Sequence, residues 1–171
     1  MSNEARINTY FAGFDERFRT RVPNVIAETA VEFYQERFQP GNEDWNGVKW
    51  PALNTKYAAK KTIGKGRILT KNTFLMRSIR PSTVEASRVR ISAGNSKVPY
   101  AKIHNTGEAV KGIQFVKAHK RSNAFGRGKV ADIPAHQRTV DYKMPKRQFM
   151  GFNKELKDRM MTRLRLAFTK K

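Results

Sequence analysis

Residues 115–140, FVKAHKRSNAFGRGKVADIPAHQRTV, hold two of the three histidines of the chain, each within an Ala-His-x-Arg sequence. Val116-Lys117-Ala118-His119-Lys120-Arg121-Ser122 returns 17 residues later as Ile133-Pro134-Ala135-His136-Gln137-Arg138-Thr139. Paired histidines could hold a metal, relay a proton or grip phosphate, and the same doubling could be two legs of one hairpin. A metal site needs three or more convergent ligands with supporting groups behind them. Only Asp132 and Asp141 flank His136, at i−4 and i+5, and no carboxylate cluster lies beside any histidine. The absence of cysteine excludes a thiol nucleophile, disulfides and cysteine-type zinc sites. The stretches GKGR (64–67) and GRGK (126–129) lack the spacing with which a P-loop wraps phosphate, and neither G-x-S-x-G nor H-E-x-x-H occurs. No catalytic, metal or cofactor site is therefore expected.

The repeat reads better as structure. Setting His119 opposite His136 in an antiparallel hairpin makes paired numbers sum to 255 and centres the turn on Arg127 and Gly128. Phe115 then faces Val140. Lys117 faces Arg138, and like charges directly opposite weaken a sheet. From Lys111 to Arg147 there are 10 bases and only two acids. An arm this basic makes sense if a partner neutralises it. The candidate contact residues are Lys117, His119, Lys120, Arg121, Arg127, Lys129, His136 and Arg138, joined by Lys65 and Arg67 of the first glycine-rich loop. Bases interspersed with Phe115, Phe125 and Tyr142 also suit non-specific contact with nucleic-acid phosphates, so a DNA-binding protein is the alternative. No recognition-module signature accompanies them.

The charge is unevenly placed. Of the net +21, residues 1–50 contribute 8 acids against 6 bases, and residues 51–171 contribute 6 acids against 29 bases. Such a basic remainder points to an anionic partner, nucleic acid or an acidic protein surface, and its self-repulsion disfavours an isolated monomer. With 171 residues, 39% of them hydrophobic, one domain is expected. The N-terminus has no apolar run of signal type and no stretch approaches membrane-span length, so a soluble chain made in a cytoplasm, without membrane contact, is expected.

The supporting elements follow from periodicity. Ile7, Tyr10/Phe11, Phe14, Phe18, Val22, Val25/Ile26, Ala30 and Phe33 recur at helical steps, giving an N-terminal helical region over 7–39 with a kink or a fresh start near Pro23. Residues 50–107 read as core helices and a hairpin. After an irregular segment with both tryptophans comes a short helix capped by Asn54, then another with Phe74, Leu75 and Ile79 inward. Two strands follow around Val84 and Val89–Ile91. Residues 109–143 form the extended basic hairpin, and Asn153 caps a last helix over 153–168 with Leu156, Met160, Leu164 and Phe168 on one face. The class is α+β: a small antiparallel sheet with a long basic hairpin, packed by N- and C-terminal helices.

Four ordered motifs carry a resemblance. They are Trp50-Pro51-Ala52-Leu53 through Tyr57 and Lys60, and Ile68-Leu69, Asn72, Leu75, Ser78 and Ile79. Then come Val98-Pro99-Tyr100-Ala101-Lys102-Ile103-His104-Asn105-Thr106-Gly107, and Pro145-Lys146-Arg147-Gln148-Phe149-Met150-Gly151. In order and spacing over residues 20–168 the chain resembles the virion-morphogenesis family of Mu-like and P2-like tailed phages, the tail-completion or head–tail joining proteins. It departs at Lys71-Asn72-Thr73, where the family tends to have Asp-Thr-Gly. The resemblance implies a non-enzymatic structural protein of the virion neck or tail end, working as a homo-oligomeric ring, often hexameric. Its partners would be neck, connector and tail-terminator or tail-tube proteins, with possible contact to DNA in the lumen. It implies that Trp50, Leu69, Leu75, Pro99, Tyr100, Ala101, Ile103, His104, Gly107, Pro145, Phe149 and Gly151 are structural, with Tyr100, Ile103 and His104 a packed corner.

Overall fold

The computed structural model describes residues 3–41, 43–61, 67–70, 72–124 and 129–169, with backbone alone for 3–11, 14, 122–124 and 129. One helix, α1 (Asn3–Glu36), takes in the whole N-terminal apolar stripe and has Pro23 inside it. No new helix starts near Arg21. Proline deprives the Arg19 carbonyl of its donor, and side chains tie the neighbouring turns: Thr20 Oγ1 donates to the Glu16 carbonyl and Asn24 Nδ2 to that of Thr20, each at 2.9 Å. At 1.5 Å per residue the helix is about 51 Å long. Its second half carries the core residues Ala27, Ala30, Phe33 and Tyr34.

Next, β1 (Asp44–Trp45) and β2 (Val48–Lys49) form a small antiparallel ladder. Its turn residues Asn46 and Gly47 have φ of 53° and 75°, the left-handed pair that Asn-Gly tolerates. The tryptophan segment is thus a hairpin where the sequence reading has irregular chain. Helix α2 (Thr55–Lys60) is capped as expected, Asn54 Oδ1 accepting from Lys56 N at 3.0 Å. In α3 (Phe74–Arg77) Leu75 is buried and Ile79 follows it inward, but Phe74 turns out and is 49% exposed. Strands β3 (Arg80–Glu85) and β4 (Arg88–Ser92) pair antiparallel around a two-residue turn. Helix α4 (Ala101–Thr106) ends at Gly107, whose φ of 73° closes it through a hydrogen bond to the Ile103 carbonyl.

The basic region contains β5 (Ala109–Val116), β6 (His119–Ala124), β7 (Lys129–Ile133) and β8 (His136–Lys143). β5 pairs antiparallel with β8 and β6 with β7, so the two legs run side by side as a ribbon. Helix α5 (Lys154–Thr169) closes the chain, with Asn153 Oδ1 accepting from Leu156 N at 2.8 Å. The class is α+β, with helices at both ends. The strands form four two-stranded antiparallel ladders among the described residues, in place of one small sheet.

The core is built on α1. Phe33, Phe38, Trp50, Leu75, Ile79, Val98, Phe149 and Leu156 are essentially removed from water. Burial of such side chains contributes about 1.5–3 kcal/mol each. Phe38 meets Trp50 at 5.5 Å between centroids and Phe149 at 5.3 Å. Along the α1–α5 seam Arg159 pairs with Glu36 and Arg163 with Glu32, while the largely buried Arg37 reaches Asp44 at 3.1 Å and Glu155 at 3.7 Å. Arg37 and Arg159 also lie over the Phe33 ring, at 4.6 and 5.1 Å. Acids of the near-neutral first part are thereby matched by arginines inside the body. The ribbon's bases have few such partners.

Candidate assembly surface

The ribbon register follows its charges. Cross-strand partners sum to 252 as far as Arg121 and Ala131: Ala109 faces Lys143, Val116 faces His136 and His119 faces Ile133, and beyond an irregularity Ala124 faces Lys129. The expected pairs His119–His136, Phe115–Val140 and Lys117–Arg138 therefore do not form, because the register is three residues away. In the observed register both acids face lysines, Asp141 opposite Lys111 (3.6 Å) and Asp132 opposite Lys120. Arg138 faces Gln114, donating from Nε and Nη2 to Oε1 at 3.0 and 2.6 Å. Opposite-charge pairs contribute about 0.2–1 kcal/mol each while like pairs subtract. The register of 255 would have set Lys117 against Arg138 and left both acids facing neutral side chains.

Between the two ladders, residues 117–118 and 134–135 leave the pairing, and Pro134 has no N–H to offer it. Each histidine stands just beyond this break. His119 Nδ1 donates to the Lys117 carbonyl and His136 Nδ1 to the Pro134 carbonyl, both at 3.0 Å. The two imidazoles thus serve two equivalent turns and converge on no shared ligand. No group of three metal-ligating side chains occurs among the described residues.

Lys117, His119, Lys120, Arg121, His136 and Arg138 are all exposed along the ribbon. Lys129 lies in β7 with its backbone opposite Ala124. Arg67 is exposed, and its carbonyl accepts from the buried Lys61 ammonium. Lys65 and Arg127 lie outside the described residues. Alternation gives the ribbon two apolar faces: Val110, Val116 and Val140 half-buried on one, Ile113 and Phe115 on the other at 73% and 62% exposure. Charge singled out the arm in the sequence; the exposed Ile113 and Phe115 became visible only with the register.

The motif residues gather at a second place. Trp50 Nε1 donates to the Gln148 carbonyl at 2.6 Å, and Arg147 N to the His104 carbonyl at 2.8 Å. Asn105 Oδ1 accepts from both Phe149 N and Met150 N, at 2.9 and 3.0 Å. The connector after the ribbon is thus strapped to α4 and to Trp50. Trp50, Leu75, Ala101 and Phe149 are in the core, and Leu69 packs against it. Ile103 and Gly107 are half-buried, and a Cβ on Gly107 would lie 2.7 Å from that of Lys146. Gly151 accepts from Tyr34 Oη at 2.7 Å, whereas Pro99 and Pro145 are exposed. Tyr100 stands edge-on to His104 at 5.7 Å. His104 Nδ1 is buried without a partner; burial, then the charge of Arg147, lowers its pKa below the usual 6.5. Asn105 escaped notice in the sequence, where nothing distinguishes it from a variable motif position.

No helix among the described residues is long and apolar enough to cross a membrane. Comparison with curated proteins and with solved structures gives no match. The model of the phage virion morphogenesis family matches residues 9–168. That span takes in the motif cluster, the ribbon and both terminal helices, and the chain therefore belongs to the phage virion morphogenesis family, a structural family of the virion.

Proposed function

We propose that this protein completes the phage tail at the neck, forming a homo-oligomeric ring, hexameric in the simplest case, that joins tail to head connector. The observation that carries the reading is the ribbon, with eight bases from Lys111 to Lys143 and with Ile113 and Phe115 open to solvent. A two-stranded ribbon is marginal on its own in water. Apolar side chains this exposed, on an arm this basic, are stabilised when a neighbour covers them and supplies carboxylates. Copies joined head to tail close into a ring when the rotation allows it. Lumenal DNA is a second anionic surface the same bases could meet, and the neck, connector and tail-tube proteins are the protein partners.

Native mass spectrometry across a concentration series tests this. A closed oligomer of one defined size, with weak and salt-sensitive DNA binding, is the expected result. Ile113→Ser/Phe115→Ser should shift it to monomer without loss of helix signal. A monomer at all concentrations that binds duplex with a steep salt slope would favour the DNA-binding reading and overturn the ring.

A further inference from the structure

A groove of about 510 Å³ runs between α1, β4, the connector and α5. Ile26, Val89, Ile91, Met150 and Met160 stand half-buried in its walls, and Phe152 at its edge is 74% exposed. Its lining residues and their chain neighbours all belong to the described residues. None of the lining residues is charged, in a chain with 35 bases and 14 acids. Its polar side chains are engaged from within: Tyr34 Oη donates to the Gly151 carbonyl at 2.7 Å, and Asn105 is tied to the connector backbone. The groove therefore offers an occupant apolar contact and no charge, and a charged occupant would leave water there without compensation.

The same chain carries a patch that matches it. Ile113 and Phe115 share one face of the ribbon with the uncharged residues directly opposite them, Thr139 and Gln137. Within the ladder the nearest charges on that face, Lys111 and Asp141, pair with each other at 3.6 Å. The patch is thus a neutral, apolar stretch of a basic arm, and burying Ile113 and Phe115 takes no unpaired charge out of water. It does not reach the groove of its own copy. Asn105 and Met150 of the groove belong to the segments that enter and leave the ribbon, at its root. The ladder from Ala109 to Val116 is unbroken, which holds Ile113 and Phe115 about 13 and 20 Å out from Ala109 at 3.3 Å per residue. Their exposure of 73% and 62% shows that neither lies on its own body.

We propose that the Ile113–Phe115 face of one copy's ribbon seats in the groove between α1, β4 and α5 of a second copy. The two side chains cover Val89 and the two methionines, and Phe152 packs against them from the edge. Patch and groove are different surfaces of one chain, so the contact is head to tail and suits a closed ring. Lys117 and the bases beyond it lie past the patch and stay free for carboxylates elsewhere. The inference rests on the reading of the protein as a homo-oligomer and names the surface that meets the ribbon.

Two variants divide the contact. Ile113→Ser/Phe115→Ser keeps the groove and lacks the patch; Phe152→Ser/Val89→Lys keeps the patch and puts a charge in the groove. By native mass spectrometry, at a concentration that assembles the parent, each variant alone should be monomeric at unchanged melting temperature. Their equimolar mixture should give a heterodimer, at least tenfold more abundant than either homodimer, and no ring. A second measurement leaves the groove intact: p-benzoylphenylalanine in place of Phe115, in a mixture of isotope-labelled and unlabelled copies. Irradiation should join label to unlabelled copy at Met150, Phe152 or Met160. Assembly of Phe152→Ser/Val89→Lys like the parent, a mixture without heterodimer, or cross-links confined to one copy would overturn the proposal. An oligomer whose cross-links fall elsewhere on the second copy would leave the groove to another virion protein and overturn it as well. In all these outcomes a parent that still forms a closed oligomer keeps the ring reading, whereas a parent monomeric at every concentration refutes ring and docking together.

Discussion

His136 lies directly across the ribbon from Val116, and His119 stands in the same relation to Ile133. Advancing 17 residues along one leg and retreating 17 along the other turns the first pair into the second. The two copies of the repeat are therefore related by a local two-fold axis through the break at residues 117–118 and 134–135. Each copy supplies an aliphatic residue, a two-residue interruption and a histidine that closes the turn onto the carbonyl two positions back. The sequence repeat is the imprint of that symmetry.

The register can be read chemically, because the chain has no cysteine to interfere. Val116→Cys/His136→Cys places two thiols on directly paired residues, whose Cβ atoms lie about 4.5–5.5 Å apart. This pair should cross-link readily under mild oxidation and give a faster-migrating band on a non-reducing gel. His119→Cys/His136→Cys is offset by three residues and should stay reduced. Cross-linking of the second pair in preference to the first would refute the register.

Much of the fold was legible in the sequence, and what escaped is instructive. Helical spacing located α1 and α5, and Asn54 and Asn153 announced their caps because capping is a local interaction of a few residues. Composition marked the ribbon as an arm. The register was missed because the repeat suggested pairing like with like, while the choice is made by cross-strand charges such as Lys111 with Asp141. Pro23 was read by its local cost, which burial of its ring and side-chain hydrogen bonds on either side of it offset. The strap was beyond the sequence altogether, since Asn105 lies 44 and 45 residues from the N–H groups it accepts from and no local pattern signals that contact.

Thr73 adopts φ 55° and ψ 3°, left-handed backbone, and its hydroxyl does not cap α3. A β-branched residue there is strained, by about 1–2 kcal/mol. This is the position at which the resemblance led one to expect glycine. Thr73→Gly should therefore raise stability or leave it unchanged, in contrast to the usual loss on inserting glycine, and Thr73→Val should not. Urea melts of the three proteins decide it, and a clear destabilisation by Thr73→Gly would contradict the strain.

Asn105 holds the connector by accepting from two consecutive backbone N–H groups and donating to the Met150 carbonyl at 3.3 Å. Asn105→Ala leaves the two N–H groups without partners, while the Met150 carbonyl keeps Gln148 Nε2 at 3.2 Å, and each unsatisfied buried group costs about 1–3 kcal/mol. A loss of about 2–4 kcal/mol in chemical denaturation is expected, with faster amide exchange at Phe149 and Met150. Asn105→Asp keeps the acceptor and should recover part of the loss. An alanine variant as stable as the parent would show that the strap is dispensable.

His104 makes stability depend on pH near neutrality. Burial, and then the Arg147 charge, lower its folded-state pKa from 6.5, so the unfolded chain takes up the proton first as pH falls. The neutral imidazole's contribution is thus complete above about pH 6.5 and is lost as pH falls through the lower folded value. Melting temperatures of the parent and of His104→Gln, measured between pH 7.5 and 5, should converge on the acid side because only the parent carries this term. Contributions common to both proteins cancel in the difference. Parallel curves would mean that the unpartnered Nδ1 is not held neutral by its surroundings.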